Sequence, residues 1–495
     1  MASLNQLRWH NRFARLSPPF FTAVQPTPLE GNTRLVAVSP AACALIELEF
    51  AATQTPEFLA MLSGQTLLAG MQPLASVYAG HQFGVYVAQL GDGRALLLGE
   101  SVTASGGWEW HLKGAGRTPY SRAGDGRAVL RSTIREFLCS EAMAALGIPT
   151  TRALALAQGD EEVYRERIEQ GAMLLRLAPS HLRFGHFEYF FYREDFDALE
   201  QLGTFALTEY FPHLKTAPQP YLVLLDEVIE RTATLMAQWQ LVGFAHGVMN
   251  TDNMSLLGLT IDYGPFGFMD GYQPSWICNH SDPWGRYAFD RQPSVAQWNL
   301  SCLAQALLPL LDRDNGERAA ELARDRLRHF TTHFERAYHQ GLAAKLGLGE
   351  YQLGDEHLAY DLLRRMAKDQ VDYTLLFRAL AQMQRQSTAQ DATARKLFRH
   401  PDAFDQWAVD YRARLDAESS DDNARARRLC GVNPKFVLRN YLAQQAIERA
   451  EQGDDSEVQR LLKVLSTPFA EQPEHAAYAQ APPDWSQHLE VSCSS

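Results

Sequence analysis

The 495-residue chain is poor in cysteine, poor in lysine and short of positive charge overall. Its six cysteines stand at 43, 139, 278, 302, 430 and 493. No two have Cys-x-x-Cys spacing, so a zinc ribbon or a thioredoxin-type motif has no support. Six in a chain of this length are too sparse for a disulfide scaffold. The 58 acids outnumber the 46 bases, for a formal charge of −12. That balance argues against a nucleic-acid or membrane-surface binder, because phosphate contacts need a basic footprint. Long apolar runs are missing too. The longest uncharged stretch, 58–91, is interrupted by Gly64, Gln65, Gln72, Pro73, His81 and Gln82. It therefore falls short of the ~20 consecutive apolar residues of a membrane span. The N-terminus lacks the apolar core of a secretory signal. Arg8, Arg12 and Arg15 come before the first acid, Glu30, and predict a basic surface arm. A soluble, cytoplasmic monomer is the expectation.

What is present starts with arginine. Only seven of the 46 bases are lysines, and the other 39 are arginines. Lys113 is the one lysine before Lys215. An arginine-rich chain that keeps a single lysine there raises the question of what Lys113 does that arginine could not.

The first half of the chain alternates short apolar runs with glycine turns, and no internal repeat is visible. From about Asp290 the spacing turns helical, with helices predicted over 300–345, 353–390 and 436–465. The polar run 418–428 reads as an exposed loop, and the proline-bearing tail from Thr467 as extended. Length alone suggests about three domains.

Residues 84–140 carry the first half of a constellation. Gly84–Leu90 is a strand candidate, Gly91-Asp92-Gly93 a tight turn, and Arg94–Leu98 the returning strand. Trp108–Lys113 alternates with period two: Trp108, Trp110 and Leu112 on one face, Glu109, His111 and Lys113 on the other. A helix follows at about 132–146, with Glu136 near its start. Strand, glycine turn, strand, strand with Lys, helix with Glu is the order of a protein-kinase N-lobe, in which a Lys–Glu ion pair orients the nucleotide. Two alternatives stay open. Lys113 would equally serve as a solvated strand residue, and Thr133-x-x-Glu136 fits a capping box.

The second half follows a long helix predicted over Tyr221–Phe244. The loop His246-Gly-Val-Met-Asn-Thr-Asp-Asn253 keeps the kinase spacing of His to Asn, but Val248 stands where a kinase carries its catalytic base. Asp252 stands beside Asn253 instead. Nine residues after Asn253 comes Asp262, in Ile261-Asp-Tyr-Gly264, a variant of Asp-Phe-Gly. Met254–Leu257 and Leu259–Ile261 flank Gly258 as a predicted hairpin that brings Asn253 and Asp262 together. Two hard oxygen ligands suit Mg²⁺ on a nucleotide; each alone is equally a turn-capping residue. No Gly-Lys dipeptide occurs, which excludes a P-loop, and Gly91-Asp-Gly93, Gly114-Ala-Gly116 and Gly124-Asp-Gly126 never complete Gly-x-Gly-x-x-Gly. Arg176 and Arg183 carry forks suited to phosphate oxygens, with surface ion pairs as the plainer alternative.

The strings Tyr78–Gly84, Leu112–Arg122, Gly124–Arg131, Ser180–Glu188, His246–Asn253, Ile261–Gly264 and Asn433–Tyr441 together resemble the selenoprotein O (SelO/YdiU) family of protein adenylyltransferases, over nearly the whole chain. Members are called pseudokinases because the kinase base is missing, and they bind ATP flipped relative to a kinase. The resemblance implies an α+β, protein-kinase-like two-lobed fold: an N-terminal extension over 1–75, an N-lobe over 76–178, a C-lobe over 179–290 and a helical C-terminal region over 291–495. It implies AMP transfer from ATP to Ser, Thr or Tyr hydroxyls of proteins. Lys113 would contact phosphate and pair with Glu136. Gly91, Gly93, Arg94, Asp125 and Gly126 would line the nucleotide, Arg176 and Arg183 would hold its γ-phosphate end, Asn253 and Asp262 would ligate Mg²⁺ or Mn²⁺, and Asp252 would be the base. Cys493, otherwise a spare, bridging or redox-active thiol, would form a redox-controlling disulfide with Cys278. Rival functions are a kinase-like small-molecule phosphotransferase, UMP transfer from UTP, and a non-catalytic nucleotide-binding module. Nucleic-acid and membrane partners are not expected.

Overall fold

A computed structural model describes residues 1–104 and 106–492. The alternating run Trp108–Lys113 lies within Gly106–Lys113, an inner strand of a nine-stranded antiparallel sheet. Its seven-strand path runs Phe21–Ala23, Leu74–Ser76, Ala95–Thr103, Gly106–Lys113, Ile168–Ala178, Arg152–Tyr164, Arg34–Val38. Trp9–His10 adds to Ala95–Thr103, and Ala128–Val129 to Ile168–Ala178. Strands from residues 1–75 thus share one sheet with those that follow. One face packs Trp110, Leu112, Leu154 and Leu175 against Phe58, Met61 and Leu62. The other lies against the Leu130–Ala145 helix, where Ile134, Phe137 and Leu138 meet Leu156 and Leu174. With both faces covered, the polar set Glu109, His111 and Lys113 is buried rather than solvated.

The glycine turn does not close the expected hairpin. Val85–Val87 pairs with Gly80–Gln82, in a small sheet of its own. Asp92 explains the difference: its carboxylate accepts from the Ser76 N–H (2.9 Å) and Ser76 Oγ (2.6 Å), and the Leu90 N–H donates to Tyr78 O. These bonds lay residues 90–92 alongside 76–78 instead of turning them back. Ala95–Thr103 pairs instead with Gly106–Lys113. The basic arm is also tied down. Arg12 donates to Glu100 (2.7 Å), and Phe13, Leu16 and Phe20 are buried.

Helices dominate from Phe184 onward. Pro220–Val242 ends at Gly243, whose φ of +69° makes the left-handed cap. The pattern over 300–345 divides into Gln292–Leu311, Gly316–Leu327 and His329–Lys345, with Asn315 capping the second by accepting from the Arg318 N–H (3.0 Å). The 353–390 pattern divides into Asp355–Asp369 and Tyr373–Ala379, and 436–465 into Asn440–Glu451 and Ser456–Leu465. The expected exposed loop over 418–428 is largely helix, Asp422–Val432. Asp421 caps it through the Ala424 N–H (2.7 Å), and its Arg425 is fully buried, donating to Met383 O (2.5 Å). The tail holds short 3-10 turns at Pro473–Ala479 and Asp484–His488. Among the described residues no helix is long and apolar enough to cross a membrane.

Candidate active-site cleft

Cross-strand register sets the inner wall. His111 lies opposite Arg176 and Lys113 opposite Leu174, so His111, Lys113 and Arg176 share one face of the sheet. Lys113 pairs with Glu136. Glu136 lies almost two turns inside the Leu130–Ala145 helix, too deep to be a capping-box acid, while the Thr133 hydroxyl is engaged with Val129 O and Leu130 O. Arg176 Nη1 donates to Glu136 (3.0 Å) and to Asp262 (2.6 Å). Its Nη2 donates to His111 Nδ1 (2.6 Å), which makes that ring nitrogen an acceptor. Burial pushes the His111 imidazole down to about 3, so it is neutral at physiological pH. Arg176 and Arg183 are therefore buried charges and not surface ion pairs.

The outer wall comes from the 246–264 segment. The expected hairpin around Gly258 is absent: Ser255 bridges to Arg183 and Thr260 to Thr150. His246 does the joining instead. Its Nδ1 accepts from the Val248 N–H (3.3 Å), its Nε2 donates to Ile261 O (2.8 Å), and its ring stacks on Trp239 (5.3 Å). One buried imidazole thus ties the loop to the residue before Asp262. Asp262 itself has φ +56°, a left-handed conformation uncommon for a residue with a Cβ. Burial would raise its carboxyl, but Arg183 and Arg176 hold it well below the usual carboxylate range.

Asp252 is the contrast. One carboxylate oxygen accepts from Gln82 Nε2 (3.3 Å), and Oδ1 has no partner among the described residues. Burial pushes its carboxyl up to about 7, against the pull of Arg183. Gly80 is required beside it, since a Cβ there would stand 2.4 Å from Asp252 Oδ1. Asn253 spends its amide N–H on Val248 O (3.0 Å), which leaves the amide oxygen as its remaining ligand atom.

A cavity of about 760 Å³ gathers Gly91, Gly93, Arg94, Lys113, Asp125, Gly126, Arg176, Arg183, Asp252, Asn253 and Asp262 on its walls. Glu136 lies buried behind Lys113. Eight basic side chains and four carboxylates line the cavity, a local excess of positive charge in an acidic chain. The glycines permit close packing: a Cβ on Gly91 would meet Ser76 O at 2.7 Å, and one on Gly126 (φ +76°) would meet Gly116 at 2.2 Å. Asp125 is engaged by Arg165 in a two-bond fork (2.7 and 2.9 Å).

Several contributors carried no role from sequence. Glu188 is fully buried between His81 Nδ1 (2.5 Å) and the Thr251 hydroxyl. Asn250 Oδ1 accepts from the Phe83 N–H (3.1 Å) and the Tyr287 hydroxyl (2.6 Å). The usable signal for Glu188 is a lone acid in the aromatic-rich run Phe184–Phe191. Cys278 does not border the cleft. It packs under the 246–253 loop, where a Cβ on Gly247 would meet its Sγ at 2.8 Å. Cys493 lies outside the described residues. The tail does reach this region, with the His280 N–H donating to Val491 O (2.8 Å).

A family model described as Protein adenylyltransferase SelO matches residues 3–466. A protein of Myxococcus xanthus named Protein nucleotidyltransferase YdiU is 54% identical over 496 residues, covering 100% of both chains. Proteins of the same name from Thioalkalivibrio sulfidiphilus (54% over 496 residues) and Thiobacillus denitrificans (52% over 499 residues) also match over 100% of both chains.

Proposed function

The chain belongs to the SelO family of protein adenylyltransferases, and from that membership we propose that it moves AMP from ATP onto Ser, Thr or Tyr hydroxyls of proteins, releasing pyrophosphate. It is a protein nucleotidyltransferase. The finer architecture we propose is kinase-like and two-lobed, with the sheet over 76–178 above, the segment 179–290 below, residues 1–75 as an extension, and a helical region over 291–495.

One observation carries the reading. Val248 occupies the kinase-base position, while the adjacent loop offers Asp252, buried, with one carboxylate oxygen unsatisfied and a proton affinity near neutrality. A base needs that combination. Arg176, Arg183 and Lys113 would hold the terminal phosphates at the inner wall, which turns the α-phosphorus toward Asp252. There the acceptor hydroxyl gives its proton to the Asp252 carboxylate while its oxygen bonds to the α-phosphorus. The bond from that phosphorus to the β-phosphate bridging oxygen breaks, and pyrophosphate leaves with its charge stabilised by the arginines. The amide oxygen of Asn253 and the carboxylate of Asp262 are hard donors and fit Mg²⁺ or Mn²⁺. When bound, the ion would neutralise phosphate charge. Cys278 and Cys493 are proposed to form a disulfide that responds to redox conditions; non-reducing mass spectrometry under oxidising conditions should find the linked peptides, and two free thiols would remove the idea.

Incubation with ATP labelled at the α or the γ position, plus Mg²⁺ or Mn²⁺, tests the main reading. Label on protein from the α position alone is expected. Transfer of γ label makes the chain a phosphotransferase, and no transfer from either makes it a binding module. α-Labelled UTP run in parallel compares UMP transfer.

A further inference from the structure

Beside the cleft lies a second depression, of about 480 Å³, lined in part by Phe83, Trp284, Arg286, Arg291, Val295 and Trp298. Phe83 borders both cavities, so the depression adjoins the cleft at that ring. Its aromatic walls are open: Trp284 is 88% exposed, Phe83 39% and Trp298 37%. Exposed aromatic side chains gathered around one groove are a mark of protein recognition.

Its charge is unusual for this chain. Arg286 lies 4.7 Å over the Trp298 ring. Neither Arg286 nor Arg291 has a carboxylate within ion-pair distance among the described residues, whereas Arg176 and Arg183 do. The carboxylate that lines the groove, Asp282, is spent on the backbone N–H groups of Arg286 (3.0 Å) and Tyr287 (2.7 Å). Two uncompensated guanidiniums next to exposed rings therefore stand out on a chain of charge −12.

The groove wall is also bound rigidly to the catalytic loop. Phe83 holds φ +51°, a left-handed conformation that is strained for a bulky residue. It is held there by its N–H, which donates to Asn250 Oδ1 (3.1 Å) and to the Tyr287 hydroxyl (3.0 Å). Gly84 leaves the space beside it, since a Cβ there would stand 3.1 Å from the Arg286 guanidinium carbon. These hydrogen bonds keep an exposed ring at the boundary of the two cavities.

We propose that this groove docks the acceptor polypeptide, by taking a segment that carries acidic and aromatic residues a few positions from the modified hydroxyl. This rests on the transfer reading and adds its substrate class. Carboxylates of the segment would meet the forks of Arg286 and Arg291, and an aromatic side chain would stack between Phe83, Trp284 and Trp298. An extended segment advances roughly 3.3 Å per residue, so a few residues carry it from Asp252 past Phe83 into the groove.

The test uses two fluorescein-labelled peptides, each with one central serine. One is flanked by aspartate, glutamate and phenylalanine, and the other by lysine, arginine and alanine. Fluorescence polarisation with the full-length chain should show the acidic peptide binding at least tenfold more tightly. The double variant R286E/R291E should erase that preference, and W284A should weaken it severalfold, while binding of a fluorescent ATP analogue stays unchanged. Equal binding of the two peptides overturns the proposal, as does an acidic-peptide affinity that survives R286E/R291E. A dimer of the wild-type chain that dissociates in R286E/R291E assigns the groove to a second copy and also overturns it. Transfer of α label is read separately. A preserved preference without transfer breaks the catalytic reading alone, and transfer without preference breaks the groove alone.

Discussion

The two walls of the cleft are built by opposite rules. On the inner wall, and where it meets Asp262 of the loop, charge meets charge: Lys113 with Glu136, Arg176 with Glu136 and Asp262, and Arg183, just before the Phe184–Phe191 helix, with Asp262. On the outer, loop-borne wall Asp252 keeps a carboxylate oxygen without a partner among the described residues and a raised proton affinity. On the proposed reading, a paired network fixes donors where phosphate charge would be received, with no reorganisation at the moment of reaction. An unpaired carboxyl near neutrality is able to take and return a proton. The division is one of chemical task, and each wall can be attacked separately.

The largest effect is expected where the walls join. Asp262→Asn removes the charge that both buried arginines share and a hard anionic ligand. Transfer of α label should fall by about 10³-fold or more, with the chain still folded by circular dichroism. EDTA should do the same to the wild type, and added Mg²⁺ or Mn²⁺ should restore it. An active Asp262→Asn variant would mean that the joint is structural only, and the comparison would lose its centre.

The outer wall alone is probed by Asp252→Asn, expected to cost about 10²-fold or more in kcat. The wild-type rate should rise with pH through about 7 and then level, because only the ionised carboxylate accepts the proton. The variant should lose that inflection. Stability moves the other way. The folded carboxyl titrates near 7 and the unfolded one near its ordinary 3.8, so between those values the native state holds the extra proton. The contribution of Asp252 to stability therefore falls as pH rises through that window. Asp252→Asn should raise Tm at pH 8 and leave it nearly unchanged near pH 4.

The inner wall alone is probed by Lys113→Arg. A planar guanidinium keeps the charge but does not fit beside Glu136 and Arg176 with the geometry of a compact ammonium. A loss of roughly 10- to 100-fold in kcat/KM for ATP is expected, with the pH inflection near 7 intact. An inflection that moves would couple the two walls and break the distinction between them.

Sequence spacing revealed the outer wall better than the inner one, for a physical reason. His246, Asn253 and Asp262 lie within 17 residues, so a single loop reports its own chemistry. The inner contacts cross elements: Arg176 meets Glu136 from 40 residues away and Asp262 from 86. Alternation placed Lys113 on the polar face, but it could not show that this face is covered. The hairpin around Gly258 was misplaced because its strands find outside partners at Arg183 and Thr150. The polar run before Asn433 hid a helix because its cap, Asp421, and its buried Arg425 both look like loop residues in one dimension.

The smallest effect should come from behind the outer wall. Glu188 touches no cleft atom, yet its two oxygens hold His81 Nδ1 and the Thr251 hydroxyl, and Thr251 precedes Asp252 in the loop. Thr251 Oγ1 also accepts from the His81 N–H (2.7 Å), so one carboxylate fixes both strings that flank Asp252. Glu188→Gln can keep one of these acceptor bonds and must weaken the other. A positioning residue of this kind should lower kcat about 2- to 10-fold and leave KM for ATP and the inflection near pH 7 where they were. A displaced inflection would mean that Glu188 exchanges protons with Asp252. The outer wall would then hold a coupled carboxyl pair, and the lone unpaired base that distinguishes it from the inner wall would be lost.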